Sequence, residues 1–113
     1  MSAAELQIFE WGAWRWDVEA ALAIVTARYR PATTIPVPNW AKFLGVMRVD
    51  PVRAAQADLS SPVLVVPFLA GYMVIDGWHR IWRADAEGVE RLPAHVLTVE
   101  EERRVRLLTG GGA

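Results

Sequence analysis

The 113-residue sequence predicts an α+β fold, a small mixed sheet with helices packed on it. Three observations carry this expectation. Residues 63–66 form an unbroken apolar, mostly β-branched run, which is how a strand buried on both faces reads. Val18, Ala21, Leu22, Val25 and Tyr29 recur three and four apart, the spacing of an amphipathic helix. Segments of the two kinds then alternate in the order helix, strand, helix, strand, strand, helix, strand, helix. With 53% apolar and 22% charged residues, one domain of this length can hold a core unaided.

The elements follow in order. Residues 1–16 hold Phe9, Trp11, Trp14 and Trp16 without a clear period. Asp17 stands where a helix N-cap belongs, and Pro31 ends the helix that begins at Val18. Residues 31–39 carry three prolines and read as an extended connector. A strand is expected around 45–49, then a short helix over 52–59, entered through Asp50 as cap and Pro51 at its first position. Ser61-Pro62 breaks that helix. Residues 63–66 and 72–75 are strands joined by a turn over 67–71. Residues 78–87 form a helix closed by Gly88. Residues 92–97 form a strand entered through Pro93. Thr98 and Glu101 are spaced as a capping box for a last helix running to about Leu108. The expected organisation is a Trp-rich N-terminal extension with one helix over 1–34, a core over 35–109, and a frayed tail over 110–113.

Composition excludes several chemistries. The chain has no cysteine, hence no disulfide, thiolate nucleophile or thiol redox centre. Two histidines make a multi-histidine metal site a poor expectation. A net charge of −1 argues against a strongly basic nucleic-acid module. No basic leader followed by an apolar run opens the sequence, and no stretch reaches membrane-spanning length, so a cytoplasmic location with no membrane partner is expected.

Asp76-Gly77-Trp78-His79-Arg80 is the segment that carries chemistry. A strand ends, Gly77 permits a tight turn, and a helix starts at once, so unpaired amides gather at the positive end of the helix dipole. That geometry binds phosphate. Arg80 can grip a phosphate with two parallel hydrogen bonds. Asp76 can cap the helix, contact Mg²⁺ or orient a hydroxyl. The alternative is a structural Asp-Gly turn with His79 and Arg80 on a solvated face. Asp50 is a second carboxylate candidate, read first as a helix cap. Glu5, Glu10 and Glu19 are available as bases, with nothing to choose among them. His95 reads as a packed or surface residue. Trp78 and Trp82 lie one helical turn apart. Either the Trp11, Trp14 and Trp16 segment packs over them, or Trp78 stacks on a base, or they form an apolar dimer contact. Arg103, Arg104 and Arg106 read as the solvated face of the last helix.

Asp76, Gly77, His79, Arg80, Ile81, Ala84, Gly88 and Pro93 fall in the order and spacing of the ParB N-terminal/sulfiredoxin superfamily. The sequence resembles that family, in its Asp-Gly-x-His-Arg form, over roughly 35–108. The resemblance implies a ParB/sulfiredoxin-like core with an N-terminal helical extension. It also implies a nucleotide-phosphate site at 77–80, for ATP, ADP or CTP with Mg²⁺. The implied activity is phosphotransfer or nucleotide hydrolysis, with a non-catalytic nucleotide-binding or DNA- or protein-associated module as the alternative. Catalytic roles then fall to Asp76, His79 and Arg80, with Gly77 and Trp78 in the phosphate cradle. Sulfiredoxin chemistry is excluded, because Trp78 stands where that family has its reactive cysteine. A ParB needs a following DNA-binding domain, so DNA is not an expected partner of this chain alone. A homodimer through the tryptophan-rich surface is the other partner arrangement in view.

Overall fold

The computed structural model describes residues 7–108. The fold is α+β, as the sequence predicts, and it contains two sheets. A hairpin of β1 (Ile8–Trp11) and β2 (Trp14–Asp17) opens it, followed by α1 (Val18–Ala27), β3 (Thr33–Pro36) and the short α2 (Val37–Ala41). A 3-10 turn (Leu44–Val46) and α3 (Pro51–Ala55) lead into the hairpin of β4 (Val63–Phe68) and β5 (Gly71–Asp76). Then come α4 (Trp78–Ala86), β6 (Arg91–Val96), α5 (Val99–Val105) and β7 (Arg106–Leu108). The larger sheet has the order β3-β6-β4-β5 and is mixed, because β4 and β6 run parallel while its other neighbours are antiparallel. The smaller sheet, β1-β2-β7, is antiparallel.

β4 organises both. Its first four residues are buried and point alternately to opposite faces of the larger sheet. Leu64 and Val66, with Met73 and Ile75 from β5, face a core that also takes Trp16, Val18, Ala21, Val25, Leu97 and Val105. Val63 and Val65, with Val74, face a second core of Ile35, Val37, Trp78, Ile81, Ala84, Leu92 and Ala94. So α1, α5 and the smaller sheet cover one face, and α2 and α4 cover the other.

The first core closes on an aromatic cluster and two buried carboxylates. Trp14 and Trp16 stack at 6.1 Å, and both meet Phe68 edge-on. Trp16 is fully buried, and its indole Nε1 donates to Glu102 at 2.8 Å. Burial pushes the Glu102 carboxyl up, but hydrogen bonds from Arg106 and Trp16 outweigh it and hold it low. Glu101, also buried, accepts from Arg28 and Arg30 and closes the capping box with Thr98. Hydrogen bonding to Arg30 is the main reason its carboxyl is lowered to about 2.

Several sequence expectations are corrected. The Trp-bearing segment that shows no clear period forms the β1–β2 hairpin from Ile8 onward, with Gly12, at φ +62°, in its two-residue turn. The connector over 31–39 contains β3 and the start of α2, and no strand forms over 45–49, where the 3-10 turn stands. The last helix ends at Val105, because Arg106 turns to extended backbone and joins β2. Trp14 and Trp16 pack on the sheet face opposite α4, and the residue against Trp78 is Trp40, at 6.1 Å. Arg106 is not on a solvated face, since it pairs with buried Glu102 at 2.6 Å. The 34/35 division falls inside β3, and the tail over 110–113 lies outside the described residues. No described helix is long and apolar enough to cross a membrane.

Two outcomes follow. Leu64→Ala should cost about 2–5 kcal/mol of unfolding free energy in urea titrations, the range for a fully buried leucine. Glu101 has a lowered folded pKa, so its contribution is present above the ordinary value of 4.5 and is lost as pH falls toward about 2. The urea midpoint should therefore fall across that window, and less steeply in Glu101→Gln.

Candidate functional site

β5 ends, and α4 begins, around a single strained residue. Gly77 is the N-cap of α4 with φ +114°, in the left-handed region. A Cβ there would stand 2.5 Å from Val63 Cγ1 and 2.8 Å from Val63 Cβ, so a side chain is excluded by φ and by space together. A register irregularity between Leu64 and Val65 of β4 against β5 lies just ahead of Asp76. Such irregularities bend a strand end and re-aim the side chains beyond it.

The side chains after this turn build the turn itself. The Trp78 indole is buried, and its Nε1 donates to the Val74 carbonyl at 2.9 Å. The buried ring presents little face for a base to stack on, and Trp78 also carries one of the backbone amides at the helix start. Arg80, expected to grip a phosphate, donates from Nη1 to the Pro62 carbonyl at 2.6 Å and lies 3.5 Å from Asp76 Oδ2. It ties α4 to the start of β4 and clamps Asp76. His79 Nε2 accepts from the Asp50 backbone amide at 3.1 Å, so the imidazole is neutral with its proton on Nδ1. Burial is the main cause of its lowered pKa, followed by the charge of Arg53, with Asp50 and Asp76 opposing. Asp50 itself caps α3 by accepting from the Val52 amide at 3.0 Å, the cap reading of the sequence.

A cleft of about 530 Å³ opens beside this turn. Its lining includes Asp76, Gly77, Trp78 and His79, together with Arg48 and Arg53 and with Phe9 and Glu10 of β1. Among the described residues, neither Arg48 nor Arg53 has a carboxylate within ion-pair distance, while Glu10 is held by Arg15 at 2.9 Å and Asp76 by Arg80. The cleft thus joins two guanidiniums without a carboxylate partner among the described residues to the amide-bearing start of a nine-residue helix. Such an arrangement favours an anion with several oxygens.

The structure brings Asp76, Gly77, Trp78 and His79 to one cleft, and Arg80 is not part of its lining. Sequence reasoning missed Arg48 and Arg53. Nothing in their local pattern marks them, because the turn over 44–46 and α3 bring them to the helix start only in three dimensions. Of the proposed bases, Glu10 lines the cleft, Glu19 lies in the first turn of α1, and Glu5 is outside the described residues. His95 has a buried Nδ1 without a partner and does not line this cleft. Among the described residues no three of His, Asp and Glu converge as a metal-ligand group. No family model, curated protein or solved structure matches the chain.

Gly77→Ala should destabilise the fold by about 1–3 kcal/mol, from left-handed backbone strain plus the clash with Val63, read as a lower thermal midpoint. In imidazole NMR titrations His79 should titrate below the ordinary value of 6.5 as the Nδ1–H tautomer. A depressed folded pKa means this residue stabilises the fold above that value and ceases to do so as pH falls through its own pKa.

Proposed function

We propose that this chain is a nucleotide-phosphate-binding protein of the ParB N-terminal/sulfiredoxin-like type, acting as a binding module. The observation that carries the reading is that Arg48 and Arg53, without a carboxylate partner among the described residues, line the same cleft as the start of α4. Backbone amides over 77–79 point phosphate-ward by the logic of any helix start, and Gly77 gives a ligand close access to them. Phosphate oxygens then sit between the amides and the two arginines. His79 lines the same cleft as a neutral ring and contributes an Nδ1–H donor. Arg80 is a positioning residue in this reading, holding Asp76 and the turn.

Mg²⁺ is commonly held by one or two carboxylates plus substrate phosphates, with water completing its shell. Asp76 fits as such a single carboxylate for an ion that arrives with the nucleotide, since it lines the cleft and its contact with Arg80 is a long one of 3.5 Å. Binding without turnover is favoured over phosphotransfer because the groups suited to proton transfer are engaged. His79 Nε2 is occupied by the Asp50 amide, and Asp76 is paired.

Calorimetric titration with ATP, ADP, CTP and GTP, each with and without Mg²⁺, tests this. At least one should bind, and Arg48→Ala and Arg53→Ala should each weaken it by about tenfold, as loss of a charge-assisted phosphate contact does. Phosphate release should stay at the background rate. Absence of binding by every nucleotide would contradict the reading, and steady turnover would favour the phosphotransferase or nucleotidase reading instead.

A further inference from the structure

A second cleft, of about 410 Å³, lies on the α2 side of the larger sheet, and its lining has a different chemistry. Val65 of β4 and Val96 of β6 line it from the sheet. Trp40 and Phe43 wall one side, with rings 6.1 Å apart and tilted by 48°. Tyr72 of β5 closes another side and is 59% exposed. The volume lies in the range of small-molecule sites, roughly 300–1,000 Å³, which are mostly apolar with a few convergent polar groups.

The charge on its rim is of one sign. Lys42, the single lysine of the chain, lines the cleft with Nζ 5.5 Å from the Phe43 ring centroid. Among the described residues no carboxylate pairs with it, and no acidic residue lines the cleft. One cation above apolar walls suits a singly charged anion attached to an apolar body. Thr34 and Asn39 add neutral polar groups, so the rim matches one negative charge better than the two of a phosphate. Three aromatic side chains around one cavity favour a flat ring, which can stack offset or meet them edge-on.

We propose that this cleft is a binding site for a small aromatic carboxylate, with its ring among Trp40, Phe43 and Tyr72 and its carboxylate on Lys42. The site is separate from the phosphate cleft, and the inference does not depend on the nucleotide reading. Titrating 2-naphthoate into the isotope-labelled chain tests it by NMR. Saturable shifts are expected at the Val65 and Val96 methyls and the Trp40 indole N–H. Lys42→Met should weaken binding about fivefold, as loss of a partly exposed ion pair does, while Lys42→Arg retains it. The uncharged 2-naphthylmethanol should bind more weakly by a similar factor. Tyr72 is exposed enough that Tyr72→Ala should fold, and it should also weaken binding. The proposal is overturned by the absence of saturable shifts at these positions, by shifts confined to the Arg48 and Arg53 cleft, by Lys42→Met binding as tightly as the parent, or by octanoate binding as tightly as 2-naphthoate.

Discussion

The rest of the structure depends on the double-sided burial of β4. A strand with Leu64 and Val66 on one face and Val63 and Val65 on the other requires a hydrophobic layer on each side. On one side the layer is α1, α5 and the Trp14–Trp16 sheet; on the other it is α2 and α4. Val63 does more than fill the second core. Its side chain lies where a Cβ on residue 77 would go, so glycine is the residue that lets β5 turn directly into α4. The position of the candidate site is therefore a packing consequence of β4, not a property of the loop alone.

That dependence divides the motif residues by role. Trp78, His79 and Arg80 look in sequence like a row of groups aimed at a ligand. In three dimensions each holds a piece of backbone: Trp78 the Val74 carbonyl, His79 the Asp50 amide and Arg80 the Pro62 carbonyl. These bonds join β5, α3 and β4 to the start of α4, and they fix the helix end with its amides facing a cleft. The cleft's lining cations are Arg48 and Arg53, while its carboxylates, Glu10 and Asp76, are held by Arg15 and Arg80. This is the usual economy of a site in which supporting hydrogen bonds set the geometry of the contacting groups.

Much of the fold was legible because its signals are local. The apolar run at 63–66, the Asp17 and Thr98 caps, Asp50-Pro51 and Gly88 each act within a few residues, and β4, α1, α5, α3 and the end of α4 follow them. β1 and β2 went unread because their four-residue strands are too short to show a period, although Gly12 between two Trp-bearing runs marks the hairpin. β3 was hidden by prolines. Pro36 ends the strand, which lies at the sheet edge where proline is tolerated. β7 continues a helical pattern and is extended only because β2 is there to pair with it. In the site, Gly77 and its neighbours were legible as a turn into a helix. Arg48 and Arg53 were not, since only the tertiary approach of α3 to α4 gives them a place. The partner of Trp78 was misread for the same reason: hydrophobicity says that a tryptophan will be covered, and topology decides that Trp40 covers it.

The proposed function requires that the start of α4, Arg48 and Arg53 form one anion site. Backbone amide and arginine Nε chemical shifts followed during a pyrophosphate titration test it most directly. The largest saturable changes should fall on the amides of Gly77, Trp78 and His79 together with the Nε groups of Arg48 and Arg53, with one common dissociation constant. Changes that leave residues 77–79 unmoved, or that reach the arginines and the amides with different constants, would contradict it.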